Sequence, residues 1–412
     1  MRYTSLYVLF LICFKSFSQE KDLNFYLQKA QKNAPLLTDL KNQIRSNSLD
    51  SLLLKAGYKP QIAASAFANY APTIDSVGYD SAVTNGQTLA AIVGVKKNIM
   101  LGSVIKAQAN SYKLITTALL LNKKIAKKDL NKAIISQYIA ASGSLEQVTY
   151  NKKIEKLLQE EGLILKKLTR SSVYKQTDYL IFLSTIKSQE YTVLQFEQQY
   201  QNDLGLLNYL AGEVDSTFVK LTKPEITLNQ IQQLDKNLFL KQFEIDSLKF
   251  QNQNQLIDNV YKPQLLLLAD AGYLSSFAIN PHKNFGFSLG IGVTIPVFDG
   301  GQRLLNHQKI AVALETTGAY KNNFTKQLQQ QLLQLTQKLK QTSAIEKQLQ
   351  SQLIIVQALI DANKKLLVTG DALITEYVLA LANLIMINNA ISQNQINKLH
   401  LINEINYWKL ND

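Results

Sequence analysis

The stretch Phe285-Gly286-Phe287-Ser288-Leu289-Gly290-Ile291-Gly292-Val293-Thr294-Ile295-Pro296-Val297-Phe298-Asp299-Gly300-Gly301 alternates large apolar residues with small or polar ones over its first eleven positions. A period of two is the signature of a β-strand, here with one bulky apolar face and one face of glycine, serine and threonine. Two readings fit. In a soluble sandwich this is a half-buried strand. In an outer-membrane barrel it is a lipid-facing row alternating with a lumen-facing row, and about eleven residues suit a tilted spanning strand. Gly290 and Gly292 form a G-x-G inside this run, where small lumen-facing residues account for them.

Working outward, residues 264–273 make a partner strand, joined to it through a turn at Asn280-Pro281. The first half of the chain offers two more strands, 61–70 and 88–99, connected by a loop over 72–87. Four strands cannot close a membrane barrel, which begins at about eight, and open edges are not tolerated in lipid. If these strands span a membrane, the chain must associate with copies of itself. Three copies give an even strand count, and so do two, so counting strands does not choose between them.

The chain also repeats itself. Tyr58-Lys59-Pro60-Gln61 recurs as Tyr261-Lys262-Pro263-Gln264, an offset of 203. VKKNIMLG at 95–102 lies on VTIPVFDG at 293–300, and Thr177-Asp178-Tyr179-Leu180 on Thr375-Glu376-Tyr377-Val378, both at an offset of 198. The common order and spacing mark an internal duplication. The prolines divide the chain in the same way: Pro35, Pro60, Pro72, Pro224, Pro263, Pro281 and Pro296 leave 73–223 and 297–412 free of proline. Proline inside a helix costs about 3 kcal/mol, so these two regions can be long helices. Leu328, Leu332, Leu335 and Leu339, then Leu349, Leu353, Val356 and Ile360, step by 4, 3 and 4, which is coiled-coil spacing. That seam, and the helix propensity of glutamine, argue that the glutamine-rich stretch over 329–352 is helical rather than disordered. Each half thus offers a helix of roughly 65 residues, over 103–167 and 302–366, roughly 100 Å long at 1.5 Å per residue. A returning helix follows in each, over 174–211 and 371–409. Helices this long need partners.

Hydrophobic residues make up 46% of the 412-residue chain and charged residues only 18%. Such a low charge suggests that part of the surface faces something other than water. The start reads as an export leader: Arg2, an apolar run over 6–14, and Ser16-Phe17-Ser18 before Gln19. The sole cysteine, Cys13, falls inside that run behind Ile12, which is unlike a lipidation site. The mature chain then has no disulfide and no thiol nucleophile. Losing Arg2 and Lys15 takes the net charge from +13 to +11. Export argues against nucleic acid as a partner, and scattered lysines such as Lys123, Lys124, Lys127 and Lys128 read as a solvated helix face. His282, His307 and His400 lack metal-ligand spacing, no phosphate-binding or nucleophile-elbow motif occurs, and no carboxylate pair reads as an acid/base couple. The sequence calls for no cofactor, no metal and no enzymatic activity.

Strand hairpin, long helix, sharp tip and returning helix, twice over behind a leader, resembles the TolC-type outer-membrane efflux protein family. Ile295-Pro296-Val297-Phe298-Asp299-Gly300-Gly301 is similar to that family's P-[IVL]-F-D-G-G signature after the last barrel strand, the most specific piece. Asn33-Ala34-Pro35-Leu36 resembles its N-P pattern with Ala34 inserted, and Val368-Thr369-Gly370 before Glu376-Tyr377 resembles its glycine-marked tip. The first half departs from the pattern: Asn98-Ile99-Met100-Leu101-Gly102 lacks the proline and aspartate, and Ser172 stands where the second half has Gly370.

The resemblance implies a mainly α-helical fold with a membrane β-barrel portion. Duplicated helical hairpins would form an α-helical barrel, and four strands per chain would enter a shared, trimeric twelve-stranded barrel in the bacterial outer membrane. It implies a homotrimer that docks on a periplasmic adaptor and an inner-membrane transporter and conducts substrates passively. The expected division is a leader at 1–18 and a first repeat at 19–212, with strands over 60–100 and helices over 103–211. A linker at 213–227 and a second repeat at 228–412, with strands over 263–298 and helices over 302–409, complete it. The tips, Thr169, Arg170, Ser171 and Ser172 and then Val368, Thr369, Gly370 and Asp371, are the expected adaptor contacts, although glycine and serine there also serve a sharp turn. Glu376 falls on an acidic position that narrows the family's tunnel entrance, with Asp371 and Asp178 as secondary candidates. The next acidic position of that entrance falls on Leu379. Two other readings remain at this level: a periplasmic adaptor, usually with one helical hairpin, and a coiled-coil structural protein of the envelope, which has no use for strand alternation over 285–295.

Overall fold

The computed structural model describes residues 21–229, 237–276 and 280–409. The expected leader, with Cys13, and the expected start of the first repeat at residue 19 lie outside them. The chain is mostly helical with one four-stranded sheet. In order it runs α1 (Leu23–Asn33), α2 (Pro35–Gly57), β1 (Gln61–Tyr70), a short α3 (Ser81–Thr84), β2 (Gln87–Ile99), α4 (Gly102–Arg170) and α5 (Gln176–Ala211). It continues with α6 (Leu240–Val260), β3 (Gln264–Ser275), a 3-10 turn (Pro281–Lys283), β4 (Phe285–Thr294), α7 (Gln302–Thr369) and α8 (Ile374–Trp408).

Local chemistry sets the boundaries. Asp22 caps α1 by accepting the Phe25 N–H at 2.8 Å. Pro35 begins α2, where a missing N–H is harmless. Asn33, from the N-A-P pattern, reaches across to the end of α5 and donates to the carbonyls of Ala211 (3.0 Å) and Gly212 (3.2 Å). Gly212 itself is left-handed (φ 67°), and a Cβ there would sit 2.9 Å from Asn33 Cβ, so glycine is required twice over. Asp299 of the P-V-F-D-G-G stretch caps α7: its carboxylate accepts the N–H groups of Gly301 (2.9 Å) and Arg303 (2.7 Å).

Two compact units emerge, and each draws on both halves of the sequence. One comprises 36–126 and the described part of 237–327. It holds the sheet, strand order β1-β2-β3-β4, antiparallel throughout. The register puts Phe285, Phe287, Leu289, Ile291 and Val293 level with Tyr273, Ala271, Ala269, Leu267 and Leu265, and these with Ala91, Val93, Val95, Lys97 and Ile99. Alternation places all of them on one face. The opposite face carries Ser288, Thr294, Asp270, Gln264, Lys96, Asn98, Ser65 and Gln61 among glycines and a few apolar residues. Ser288 Oγ donates to Asp270 at 2.5 Å across the β3–β4 pair. Below the sheet, Leu121, Leu238 and Ile245 make a small core.

The other unit comprises 21–35, 127–229 and 328–409. One core gathers Tyr26, Ile134, Tyr138, Tyr200, Leu204 and Leu207. The 213–227 segment is tied down over it: Tyr138 OH donates to Thr222 O at 2.7 Å, Tyr200 OH donates to Val219 O, and Lys21 pairs with Asp215 at 2.8 Å. Lys21 and the Thr217 donors hold the Asp215 carboxyl well below the usual range. A second core lies toward the hairpin tips. In α7 the apolar seam expected from the sequence turns inward, with Leu328, Leu335 and Ile360 buried. It runs unbroken from Leu328 to Leu367 because Thr342, Glu346 and Asn363 occupy the intervening 3-4 steps.

Candidate functional site: the two hairpin tips

Both hairpins close on a left-handed residue, and in each the next N–H reaches back five residues to a helix carbonyl. At the end of α4, Ser172 N–H donates to Thr169 O (3.0 Å) and Val173 N–H to Leu168 O (2.9 Å), with Ser172 left-handed at φ 61°. This is the paired closure of a Schellman cap. At the end of α7, Asp371 N–H donates to Leu366 O (3.0 Å) and Gly370 is left-handed at φ 88°. The two tips touch. A Cβ on Gly370 would meet Val173 Cγ1 at 2.7 Å, and the Tyr174 hydroxyl donates to Leu367 O at 3.1 Å. The sequence-expected tip residues Thr169, Arg170, Ser171, Ser172, Val368, Thr369, Gly370 and Asp371 are therefore brought together at one end of the helical hairpins. Val368 and Leu373 stand exposed there.

The three expected acids differ in setting. Glu376 lies in the first turn of α8 and is exposed, where a carboxylate also suits the helix dipole. Asp371 is exposed in the turn itself. Asp178 is half-buried in the first turn of α5, and its carboxylate accepts the Lys175 N–H at 3.1 Å, so it caps its own helix.

One acid at this end escapes sequence reading. Glu161 in α4 is only 2% exposed. The Tyr377 hydroxyl from α8 donates to it, and Lys364 Nζ from α7 lies 3.3 Å away. The Tyr377 ring stacks on Phe182 of α5 at 6.2 Å. Burial, and then the Glu161 carboxylate, push the Tyr377 hydroxyl pKa up. Side chains from α7 and α8 thus meet at a single buried carboxylate of α4, with Phe182 of α5 stacked on the tyrosine, among Leu158, Leu165, Leu367 and Leu381. In the sequence Glu161 is one more acid on a charged helix, and its partners lie about 200 residues downstream.

Two long, tightly turned helical hairpins, each continuing from a strand of one four-stranded antiparallel sheet, define the fold of the TolC-like outer-membrane channels. Solved structures share it across nearly their whole length. CusC aligns over 95% of this chain and 92% of its own, with a TM-score of 0.77 and 10% identity. The outer-membrane channel MtrE of Neisseria gonorrhoeae, in its open state, aligns over 94% and 88%, at 0.76 and 12%. The outer-membrane protein VceC of Vibrio cholerae aligns over 94% and 95%, at 0.73 and 13%. At these identities the likeness is one of fold. No family model matches the sequence, and no curated protein matches it.

Proposed function

We propose that the chain is one protomer of a homotrimeric channel in the bacterial outer membrane. In this reading it serves a tripartite efflux pump or a type I secretion system and passively conducts substrates handed on by a periplasmic adaptor and an inner-membrane transporter. The observation that carries this reading is the sheet. Among the described residues it is open, with β1 and β4 at its edges, and its apolar face stands in the open: Phe285, Phe287, Leu289 and Ile291 are each 74–78% exposed. An aqueous surface does not sustain such a face, and lipid does not tolerate the edges. Joining β4 of one copy to β1 of the next, three times round, resolves both and gives twelve strands. Exposed apolar residues on α7 outside its buried seam, Leu333, Ile354, Ile355 and Leu359, fit burial against a neighbouring protomer in a helical wall. A single-hairpin adaptor or a plain coiled coil leaves the sheet without a purpose.

In the same reading the halves 19–212 and 228–412 are repeats flanking the 213–227 linker, and most of the helical wall stands in the periplasm. The tips over 169–172 and 368–371 meet the adaptor. Glu376 in three copies makes an acidic ring at the entrance, which favours cations, with Asp371 beside it and Asp178 contributing less because it caps α5. The chain contributes passage rather than catalysis.

The test is fractionation followed by mass. Detergent-extracted protein from outer-membrane fractions should run at three times the monomer mass and collapse to monomer on heating. A soluble periplasmic monomer would overturn the barrel and favour the adaptor-like reading. In planar bilayers, Glu376→Gln should reduce the cation preference of the channel; an unchanged preference removes the ring.

A further inference from the structure

The end of the sheet nearest the helices collects cations that no described carboxylate neutralises. Lys55 and Lys59 precede β1, Lys96 and Lys97 lie near the end of β2, Lys106 is in the first turns of α4, and Lys262 stands just before β3. The acids Asp258 and Asp299 at this end already have other partners. Asp258 accepts from Arg303 (2.7 Å) and His307 (3.0 Å), and Asp299 caps α7. Among the described residues none of Lys55, Lys59, Lys96, Lys97 and Lys106 has a carboxylate within ion-pair distance, and Lys262 donates to Ser103 Oγ at 2.8 Å. The opposite end of the sheet is different: its two loops carry Asp75 and Asp80 against Lys283.

Two further features single out this end. By register, Lys97 is the one charged residue among the described residues on the apolar face of the sheet, two positions from the end of β2. A lysine there can lay its stem on apolar surface and deliver its ammonium to the polar boundary. The duplicated Tyr-Lys-Pro-Gln motif also ends here, at Tyr58-Lys59 and Tyr261-Lys262. Pro60 and Pro263 stand immediately before β1 and β3, so each motif holds an aromatic ring and a cation just outside a strand, the pair that favours a membrane–water boundary. Lys106, Lys113 and Lys262, with Ser103, Asn110, Asn259 and an Asp258 carboxylate already paired with Arg303, line a groove of about 720 Å³ between α4 and α6, roomy enough for a phosphodiester headgroup.

We propose that this basic collar binds the phosphate groups of anionic glycerophospholipids in the leaflet on the helix side, through Lys59, Lys97 and Lys262. The proposal rests on the membrane reading above. Each lysine near an anionic surface contributes about 1 kcal/mol at low salt, so removing three should weaken retention roughly a hundredfold, and less as salt screens the contacts.

The test uses the full-length protein in nanodiscs of phosphatidylcholine, with or without phosphatidylglycerol, and reads the lipid retained on extraction and the thermal midpoint. Wild type should retain phosphatidylglycerol and melt higher with it. Lys59→Gln/Lys97→Gln/Lys262→Gln should lose both effects, and the matching triple arginine variant should keep them, which separates charge from folding. Lys96→Gln, on the other face of β2, should behave as wild type. Phosphatidylglycerol retention by the triple glutamine variant overturns the proposal, as does an equal loss in Lys96→Gln. Displacement of the lipid by inorganic phosphate alone would make this a free-anion site and overturns it as well. Entry into nanodiscs without any preference sinks the collar alone, whereas failure to enter either bilayer sinks the membrane reading and the collar with it.

Discussion

Ser172 and Gly370 hold the same left-handed position in two like caps, and they differ in what the position tolerates. A serine there carries a Cβ penalty that glycine escapes, so Ser172→Gly should slow hydrogen exchange at the first tip, corresponding to about 1 kcal/mol of local stability. Gly370→Ala should do the opposite at the second tip by a similar or larger amount, because its Cβ is both strained and pressed on Val173. The yield of assembled protein should not change in either variant, since the seams above the tips are untouched. Tyr377→Phe removes the hydroxyl donor of a carboxylate that is 2% exposed, a loss of about 1–3 kcal/mol in thermal unfolding. Glu161→Gln in the Tyr377→Phe background should recover part of it, and no recovery would mean that Glu161 is not held as a charge. The turns at the tips were legible in the sequence, because Gly370 marks one of them and the duplication carries it onto Ser172 in the other. Glu161 was not, because burial of a helical glutamate is decided by Lys364 and Tyr377, which only the fold brings near.

At the level of whole elements, the long helices follow from the absence of proline, and the strands from period two. What the sequence could not supply was the closure of the α7 seam. Its leucine steps break between Leu339 and Leu349, where Thr342 and Glu346 read as surface. In the fold they stay on the buried line: Asn394 Nδ2 donates to Thr342 O at 3.0 Å and Lys398 pairs with Glu346 at 2.8 Å, both from α8. Buried polar steps of this kind fix register between helices at some loss of stability. The helix starts were closer to the surface of the sequence. The P-V-F-D-G-G stretch owes its aspartate to the α7 cap, so Asp299→Ala should destabilise that terminus by about 1 kcal/mol, seen as earlier fraying of α7 in hydrogen exchange. Its first-half counterpart, Asn98-Ile99-Met100-Leu101-Gly102, has no such carboxylate, and α4 begins there without one.

For the whole molecule, the decisive asymmetry is between the two faces of the sheet, because the same strand should respond oppositely to charge on alternate residues. Leu289 lies midway along β4, level with Ala269, on the apolar face, and Ser288 is its neighbour on the other face beside Asp270. If the apolar face meets lipid, an arginine at Leu289 carries a penalty of about 2–4 kcal/mol near the bilayer midplane. Three symmetry copies multiply it, so Leu289→Arg should abolish the heat-modifiable trimer. Ser288→Lys should assemble normally, since it faces a water-filled lumen and gains a carboxylate partner in Asp270. A soluble sandwich predicts otherwise: with this face packed on a protein core, Leu289→Arg would unfold the sheet in detergent-free buffer as well. Equal tolerance of both variants would leave the exposed row from Phe285 to Val293 without a lipid partner. The twelve-stranded assembly would then fall with it, however well the single chain matches the fold of known channels.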